Sequence, residues 1–349
     1  MTVSNKVKAL SLISGGLDSM LATKVILDQG VHVEGINFFT GFCVEGHTHA
    51  IRKQAPGKEK RNNALWVAEQ LGIKLHIIDI VEEYKRVVLN PKFGYGAHLN
   101  PCLDCKIFMI TEAKKWIEAQ GFDFIITGEV IGQRPKSQRK DAMNTVLKET
   151  GTQDFLLRPL CAKNLLPTKP ELEGWVNREK LYGFQGRGRH GQIALAKQFG
   201  IEDYAQPAGG CCFLTNEAYS KKLQDLWAHR GEKTYELDDI MLLKVGRHLR
   251  PRAHFKLMIA REEGEGNYLS GYRHQFSSAQ CESHPGALAL IEGDIKPEDR
   301  TLIAQIVSRY SQAQAGEEVR VKIQLKNGIS HTVQTRAFAP EEILSEWYV

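Results

Sequence analysis

Six residues near the start of the chain have the composition of a loop that binds phosphate: Ser14-Gly15-Gly16-Leu17-Asp18-Ser19. Glycines let the backbone approach a phosphate closely, and serine hydroxyls and helix-terminal N–H groups donate hydrogen bonds to it. A carboxylate beside phosphates makes chemical sense when it binds Mg²⁺, so Asp18 is the predicted magnesium ligand and a predicted catalytic residue. The spacing matches neither a Walker loop nor a dinucleotide fingerprint. The predicted nucleotide contacts in this loop are Ser14, Gly15, Gly16, Asp18 and Ser19.

Two cysteine motifs could carry sulfur or a metal cluster. Cys102 and Cys105 form a Cys-x-x-Cys turn at the start of a predicted helix, where the helix terminus is expected to lower a thiol pKa. Side chains of adjacent residues diverge, so Cys212, or Cys211 in its place, is expected to join them. Three thiolates leave one iron of a [4Fe-4S] cluster open to hold a sulfide. Two alternatives remain: a persulfide relay between Cys105 and Cys212, and a structural zinc half-site on Cys102 and Cys105 completed by His98 or by a distant residue.

Alternating strand and helix patterns in the first half of the chain position both motifs. Apolar runs predict strands over 7–13, 31–39, 74–80, 122–128 and 156–160, and helical spacing predicts helices over 20–27, 62–71 and 106–120. Repeated strand–helix units indicate an α/β fold with a doubly wound parallel five-stranded sheet, which binds ligands at the carboxyl ends of its strands. Loop 14–19 lies at that edge. Four residues at the same edge are further predicted nucleotide contacts: Asn37, Phe38, Thr127 and Gly128.

Composition limits the class of protein. The chain has 349 residues, enough for two domains, and its 42% hydrophobic and 25% charged residues are typical of a globular protein. No apolar run reaches the length of a membrane span and the first residues lack a signal-peptide core, so we expect a cytoplasmic protein without a membrane partner. A formal charge of +5 is compatible with a nucleic-acid partner. Seven cysteines in such a chain favour metal or sulfur chemistry over structural disulfides.

The second half of the chain has a different pattern. A helical extension is predicted over 166–230, with a helix capped by Thr168, and it contains the second cysteine motif. Predicted strands over 240–248, 255–261, 287–291 and 319–325, with a helix over 297–310, indicate a smaller α+β domain over 235–349. Basic residues gather near its start and favour a phosphate-binding surface: Lys244, Arg247, His248, Arg250, Arg252, Lys256 and Arg261.

These motifs together resemble those of the tRNA thiouridine synthetases of the ATP-pyrophosphatase superfamily. Residues 14–19 are similar to the SGGxDS loop of that superfamily. Asn100-Pro101 before a cysteine, and Gly-x-Cys-Phe around Cys212, are similar to the cysteine motifs of tRNA 2-thiouridylases. A segment with Thr127-Gly128-Glu129, Gln133 and Ser137-Gln138 resembles one in 4-thiouridine synthetases. The resemblance covers residues 5 to about 225, and residues 246–248 and 260–267 resemble the NFACT-R type of RNA-binding domain.

The resemblance implies that residues 1–165 form a PP-loop ATP-pyrophosphatase domain that uses ATP and Mg²⁺. It adds Gln133 to the nucleotide site and makes Cys105 and Cys212 catalytic. The implied activity is tRNA thiolation, in which a uridine carbonyl oxygen is adenylated and then replaced by sulfur from a [4Fe-4S] cluster or a cysteine persulfide. The implied partners are tRNA and a sulfur donor, either a cysteine desulfurase or free sulfide. The oligomeric state stays open, and a homodimer is one of the alternatives. Two rival classes are an adenylating ligase acting on a small molecule and a non-catalytic RNA-binding protein.

Exposed basic residues are predicted to bind the RNA. Near the nucleotide site they are Arg134, Lys136, Arg139, Arg187 and Arg189, and in the C-terminal domain they are Arg247, Arg250 and Arg252.

Overall fold

The computed structural model describes residues 7–44, 61–205 and 210–349. Within these residues the chain forms two compact units, one with residues up to 44 and 61–211 and the other with Cys212–Val349. The division therefore falls inside the second cysteine motif, with Cys211 in the first unit and Cys212 in the second. The division into 1–165, 166–230 and 235–349 stays a prediction.

The first unit is built on a five-stranded parallel sheet in the order β3-β2-β1-β4-β5. Its strands are β1 Lys8–Leu12, β2 His32–Phe39, β3 Leu75–Asp79, β4 Phe124–Ile126 and β5 Leu156–Leu157. The central strands are apolar because helices cover them, and Ala9, Leu10 and the three residues of β4 are fully buried. The predicted doubly wound parallel sheet is confirmed.

Seven helices are described in this unit: α1 Leu17–Leu27, α2 Asn63–Leu71, α3 Val81–Leu89, α4 Cys102–Gln120, α5 Lys140–Thr150, α6 Lys169–Leu172 and α7 His190–Gln198. Thr168 and Glu171 form a capping box at α6, as their types and spacing favour. Helix α4 begins at Cys102, so both cysteines of the first motif lie in its first turn. Helices α3 and α5 lie outside the predicted elements.

The second unit contains a six-stranded sheet in the order β11-β10-β8-β9-β7-β6, with antiparallel neighbours. Its strands are β6 Arg247–Arg252, β7 Phe255–Ile259, β8 Ser277–Cys281, β9 Ala289–Gly293, β10 Glu318–Gln324 and β11 Ser330–Arg336. Its helices are α8 Glu217–Arg230, α9 Leu237–Leu242, α10 Glu263–Ser270 and α11 Arg300–Ser308. Ile303 and Ile306 of α11 join Val319, Val321 and Ile323 of β10 in one buried core. The predicted α+β character is confirmed.

The strand predicted over 240–248 is wrong. Helix α9 occupies its first part, and β6 begins only at Arg247. The backbone N–H of Glu236 donates to the Asp239 carboxylate at 2.7 Å, and this capping contact starts a helix where the apolar run alone favoured a strand. Strands β8 and β11 were outside the predicted set because their sequences are polar. Among the described helices, none combines the length and apolar composition needed to cross a membrane.

Candidate active site

The loop between β1 and α1 is braced by its own serines. The Ser19 hydroxyl donates to the Gly16 carbonyl oxygen at 2.8 Å and accepts from the Ser14 backbone N–H at 3.3 Å. Gly15 has φ +79°, a conformation that favours glycine. Among the described residues, no side chain caps the start of α1, so its first N–H groups can bind an anion. The loop therefore has the donors that a phosphate group needs.

Asp18 is the centre of a polar network at this loop. Its carboxylate accepts from Gln133 Nε2 at 2.5 Å and lies 3.3 Å from Arg189 Nη2. Gln192 Nε2 in turn donates to Gln133 Oε1 at 2.8 Å. Gln133, a predicted nucleotide contact, and Arg189, a predicted RNA contact, both contact Asp18. No local motif predicts that Arg189 and Gln192 lie near Asp18, because both belong to a glycine-rich segment that is distant in the sequence.

Two of the predicted nucleotide contacts, Asn37 and Phe38, lie near the end of β2. The Asn37 side-chain amide donates to the Ile13 carbonyl oxygen at 2.6 Å, which ties β2 to the start of the loop. Phe38 is only 8% exposed, so its side chain belongs to the core. Their roles at the nucleotide stay predictions.

The turn after β4 packs directly against the loop between β1 and α1, which is the predicted phosphate loop at residues 14–19. A Cβ on Gly128 would lie 2.5 Å from the backbone carbon and oxygen of Asp18 and from the nitrogen of Ser19. Only glycine permits this approach, which brings the loop and the turn together.

We expect Gly128→Ala to cut the rate of ATP cleavage by roughly 100-fold, because displacement of a site by about 1 Å can have this effect. The added methyl group should also lower the free energy of unfolding by about 1–3 kcal/mol. Steady-state kinetics and urea unfolding measure the two effects. Gly266→Ala is the matched control, since the nearest atom to its Cβ would be 3.9 Å away. Normal ATP cleavage by the Gly128 variant would contradict the close packing.

A buried ionic cluster follows this turn. Glu129 accepts from Arg158 Nε at 2.9 Å and from the Thr127 hydroxyl at 3.1 Å, and its other oxygen lies 3.6 Å from Lys106 Nζ. Burial alone would raise the pKa of Glu129, but the cations of Lys106 and Arg158 outweigh it and hold this pKa at about 2. Because Lys106 follows Cys105 in α4, the cluster connects β4 to the thiol-bearing helix.

We expect Glu129→Gln to lower the free energy of unfolding by about 3–5 kcal/mol, because it leaves the Arg158 charge buried without its partner. The pKa of Glu129 is lower in the folded state than in the unfolded chain. Its contribution is therefore complete above pH about 4.5 and is lost as the pH falls toward 2. Urea unfolding at a series of pH values should show this loss in the parent and not in the variant. Glu149→Gln, which removes an exposed pair with Lys92, should change stability by under about 1 kcal/mol; equal pH slopes for parent and Glu129→Gln would refute the role.

The thiols of the first unit interact with one another. Cys102 Sγ lies 3.5 Å from the Ser137 hydroxyl oxygen. Burial raises the pKa of Cys105 to about 12, and the nearby thiols of Cys211 and Cys102 add to the rise. The expectation of a lowered pKa at this helix start is therefore wrong, because desolvation dominates inside the first turn of α4. Of the second motif, Cys211 is the thiol that contributes to the raised pKa of Cys105.

Cys212 belongs to the second unit, where it lies near Tyr219 and its carbonyl oxygen accepts from the Thr215 hydroxyl at 2.8 Å. Within the described ranges, no group of three or more His, Cys, Asp or Glu side chains is placed to hold a metal ion. The described residues thus give no support to a bound ion at these thiols, and the [4Fe-4S] cluster on Cys102, Cys105 and Cys212 or Cys211 stays a prediction. Cys161 and Cys281 are buried, as isolated structural cysteines would be.

The basic residues near the nucleotide site are mostly exposed. Arg134 and Arg187 lie on the surface, Lys136 donates to the Tyr95 carbonyl oxygen at 2.8 Å, and Arg139 pairs with Asp141 at 2.7 Å. They remain predicted RNA contacts.

The basic run at 244–261 does not form one surface. Lys244, His248 and Lys256 are at most 4% exposed, so the expectation of a phosphate-binding surface is wrong for these three. Arg250 makes two hydrogen bonds to Asp225, at 2.6 and 2.7 Å. His248 lies in β6 and Lys256 in β7, where the fold buries both side chains, and a charge count along the sequence does not reveal this. Arg252 lies 3.3 Å from Asp299, and Arg247 remains at the surface.

In comparison with known proteins, two parts of the chain match different family models. Residues 7–169 match the family model described as "tRNA methyl transferase HUP domain", and residues 246–348 match "NFACT protein RNA binding domain". A tRNA-specific 2-thiouridylase MnmA from Mesoplasma florum is 27% identical over 243 residues, which cover 63% of this chain and 59% of that protein. A tRNA-specific 2-thiouridylase MnmA 1 from Syntrophus aciditrophicus is 24% identical over 228 residues, covering 63% and 56%.

The chain thus spans less than two thirds of the length of these relatives. A solved 4-thiouridine synthetase–RNA complex with bound ATP is similar over 62% of this chain and 47% of that chain, with 23% identity and a TM-score of 0.41. Two family models thus match separate parts of the chain, a HUP-domain model at residues 7–169 and an RNA-binding-domain model at residues 246–348.

Proposed function

We propose that this protein uses ATP to replace a carbonyl oxygen of a tRNA uridine with sulfur. One observation carries the proposal: a single segment, 127–138, contacts both the phosphate loop and the cysteine helix. Gly128 packs on the backbone of Asp18, Gln133 binds the Asp18 carboxylate, and Ser137 lies beside Cys102. Thiolation needs an adenylating site and a sulfur site that lie close together. The names of the relatives, tRNA-specific 2-thiouridylases, support the same activity.

The first step activates an inert oxygen. The uridine carbonyl oxygen attacks the α-phosphorus of ATP, and pyrophosphate leaves. The loop N–H groups and the Arg189 guanidinium stabilise the negative charge that develops on the phosphates. Asp18 suits Mg²⁺, because it is a partly exposed carboxylate next to the loop that would hold the phosphates. Bound Mg²⁺ would supply positive charge to the phosphates.

The second step delivers sulfur. A sulfur nucleophile attacks the adenylated carbon, and AMP leaves with the former carbonyl oxygen. We assign the sulfur to Cys105, with Cys102 and either Cys211 or Cys212 as partners, because the Cys105 thiol interacts with those of Cys211 and Cys102. A [4Fe-4S] cluster on three of these thiols would supply an open iron for sulfide. The alternative is a Cys105 persulfide charged by a cysteine desulfurase: its outer sulfur attacks the carbon, and a second cysteine thiol then attacks the Cys105 sulfur, which releases the thiouridine and leaves a disulfide for an external thiol to reduce. Visible absorbance of protein purified without oxygen separates the two.

The test of the function is direct. The full chain is incubated with ATP, Mg²⁺, sulfide and unmodified tRNA under anaerobic conditions, and the nucleosides of the digested tRNA are analysed by mass spectrometry. We expect a thiouridine that requires ATP, with AMP and pyrophosphate as products. ATP cleavage without thiouridine, in the presence of a small amine acceptor, would favour a ligase and overturn the proposal.

We expect Arg189→Gln to lower the rate of ATP cleavage by roughly 100-fold, because it removes one donor to the phosphate charge. Affinity for tRNA, measured by filter binding, should stay within about twofold if Arg189 acts on ATP rather than on RNA. Lys197→Gln is the matched control, because this exposed lysine lies on the same helix α7. Weakened tRNA binding with normal ATP cleavage would return Arg189 to the RNA contacts.

A further inference from the structure

The second unit has an aromatic and basic cluster on its surface that the active site does not use. The guanidinium carbon of Arg247 lies 5.1 Å from the centre of the Tyr310 ring, and that of Arg309 lies 5.9 Å from it. The Tyr310 and Tyr348 hydroxyl oxygens are 3.0 Å apart. We name these four residues the Tyr310 cluster.

Tyr348 is exposed yet firmly held. Half of its surface, 51%, is accessible. An isolated antiparallel bridge pairs it with Leu249 of β6, and the next residue, Val349, donates its N–H to the His248 carbonyl oxygen at 3.1 Å. A rigid exposed aromatic ring is a surface on which a base can stack with little loss of side-chain entropy.

The two arginines of the cluster carry charge that no acidic side chain neutralises. Most other arginines of this unit pair with carboxylates, as Arg250 does with Asp225 and Arg336 with Glu342. Across the described part of the chain, neither Arg247 nor Arg309 has a carboxylate oxygen within 4 Å. Their positive charge is therefore complementary to an anionic ligand beside an aromatic face.

We propose that the Tyr310 cluster is where this unit binds unpaired nucleotides of RNA, with a base stacked on Tyr348 and adjoining phosphates held by Arg247 and Arg309. Unpaired RNA suits the cluster better than a duplex, because only an unstacked base offers its face to an aromatic ring. The proposal rests on the proposed function for the identity of the RNA as tRNA. The cluster shares only Arg247 with the basic run predicted over 244–261, of which Lys244, His248 and Lys256 are buried.

The test measures binding of the full chain to a labelled, unstructured oligouridylate by fluorescence anisotropy, without ATP. We expect Tyr348→Ala to raise Kd about tenfold, because stacking of one base has this order of effect. Tyr348→Phe should bind normally, since it keeps the ring. Arg247→Gln with Arg309→Gln should reduce the slope of log K against log salt by about 1.4, the value for two phosphates of a single strand. A blunt RNA duplex should bind parent and Tyr348→Ala equally.

Arg320→Gln with Lys322→Gln is the matched control, because it removes two exposed charges from β10 in the same unit. Circular dichroism and the thermal midpoint show that each variant is folded. Unchanged oligouridylate affinity in folded Tyr348→Ala would refute the cluster, even if the parent thiolates tRNA. Conversely, weakened binding with no thiolation by the parent would refute the proposed function and leave the cluster intact. An equal loss of affinity in the β10 control would show nonspecific charge attraction and would also refute the proposal.

Discussion

Replacing Cys105 with serine is expected to abolish thiouridine formation while ATP cleavage continues. The serine hydroxyl keeps the shape of the side chain but can neither carry a persulfide nor ligate a cluster through sulfur. Adenylation depends on the loop at 14–19 and on Asp18, so pyrophosphate release should stay within a few-fold of the parent rate. Nucleoside mass spectrometry and pyrophosphate release, measured on the same samples, separate the two steps.

Two further cysteine comparisons make this result specific. Cys281→Ala removes a buried thiol of β8 in the second unit and should leave thiolation intact. Cys211→Ser and Cys212→Ser, compared with each other, identify the partner of Cys105; interaction of Cys211 with Cys105 predicts the larger loss for Cys211→Ser. Thiolation at the parent rate by Cys105→Ser would remove Cys105 from sulfur transfer.

Asp18→Asn is expected to lower ATP cleavage by roughly 100- to 1,000-fold, which corresponds to about 3–4 kcal/mol of transition-state stabilisation. Asparagine can still accept from Gln133, so the network at the loop should persist. The lost charge removes the carboxylate that would hold Mg²⁺ and leaves Arg189 without its partner. Thiolation should fall in parallel, because no oxygen is adenylated.

The control for this substitution lies on the same helix. Asp28→Asn removes an equal charge at the other end of α1, where Asp28 pairs with Lys24 at the surface. It should leave ATP cleavage unchanged. Titration of Mg²⁺ adds a second readout, because Asp18→Asn should require a higher Mg²⁺ concentration for half-maximal rate. An unaltered Mg²⁺ requirement in the Asp18 variant would show that the metal is held elsewhere.

Local patterns in the sequence determined the sheet, the loop and the position of the first cysteine pair. Apolar runs predict buried parallel strands, because helices cover both faces of such a sheet and the side chains on both faces leave water. Glycines and a carboxylate within six residues predict a phosphate-binding loop, because the groups that would contact the phosphate lie close together in the sequence. Gln133 was reached through the resemblance; it contacts Asp18, and its role at the nucleotide stays a prediction.

Only the tertiary structure decided which distant charges meet. Arg189 lies 171 positions from Asp18 along the chain, and no local pattern predicts their ion pair. The same is true of Glu129 and Arg158, and of the burial that raises the Cys105 pKa where a helix start alone would lower it. Lys244, His248 and Lys256 read as a basic surface along the chain, yet the fold buries them. Burial and pairing depend on how strands and helices pack, because desolvation and Coulomb energy follow distance in space rather than in sequence.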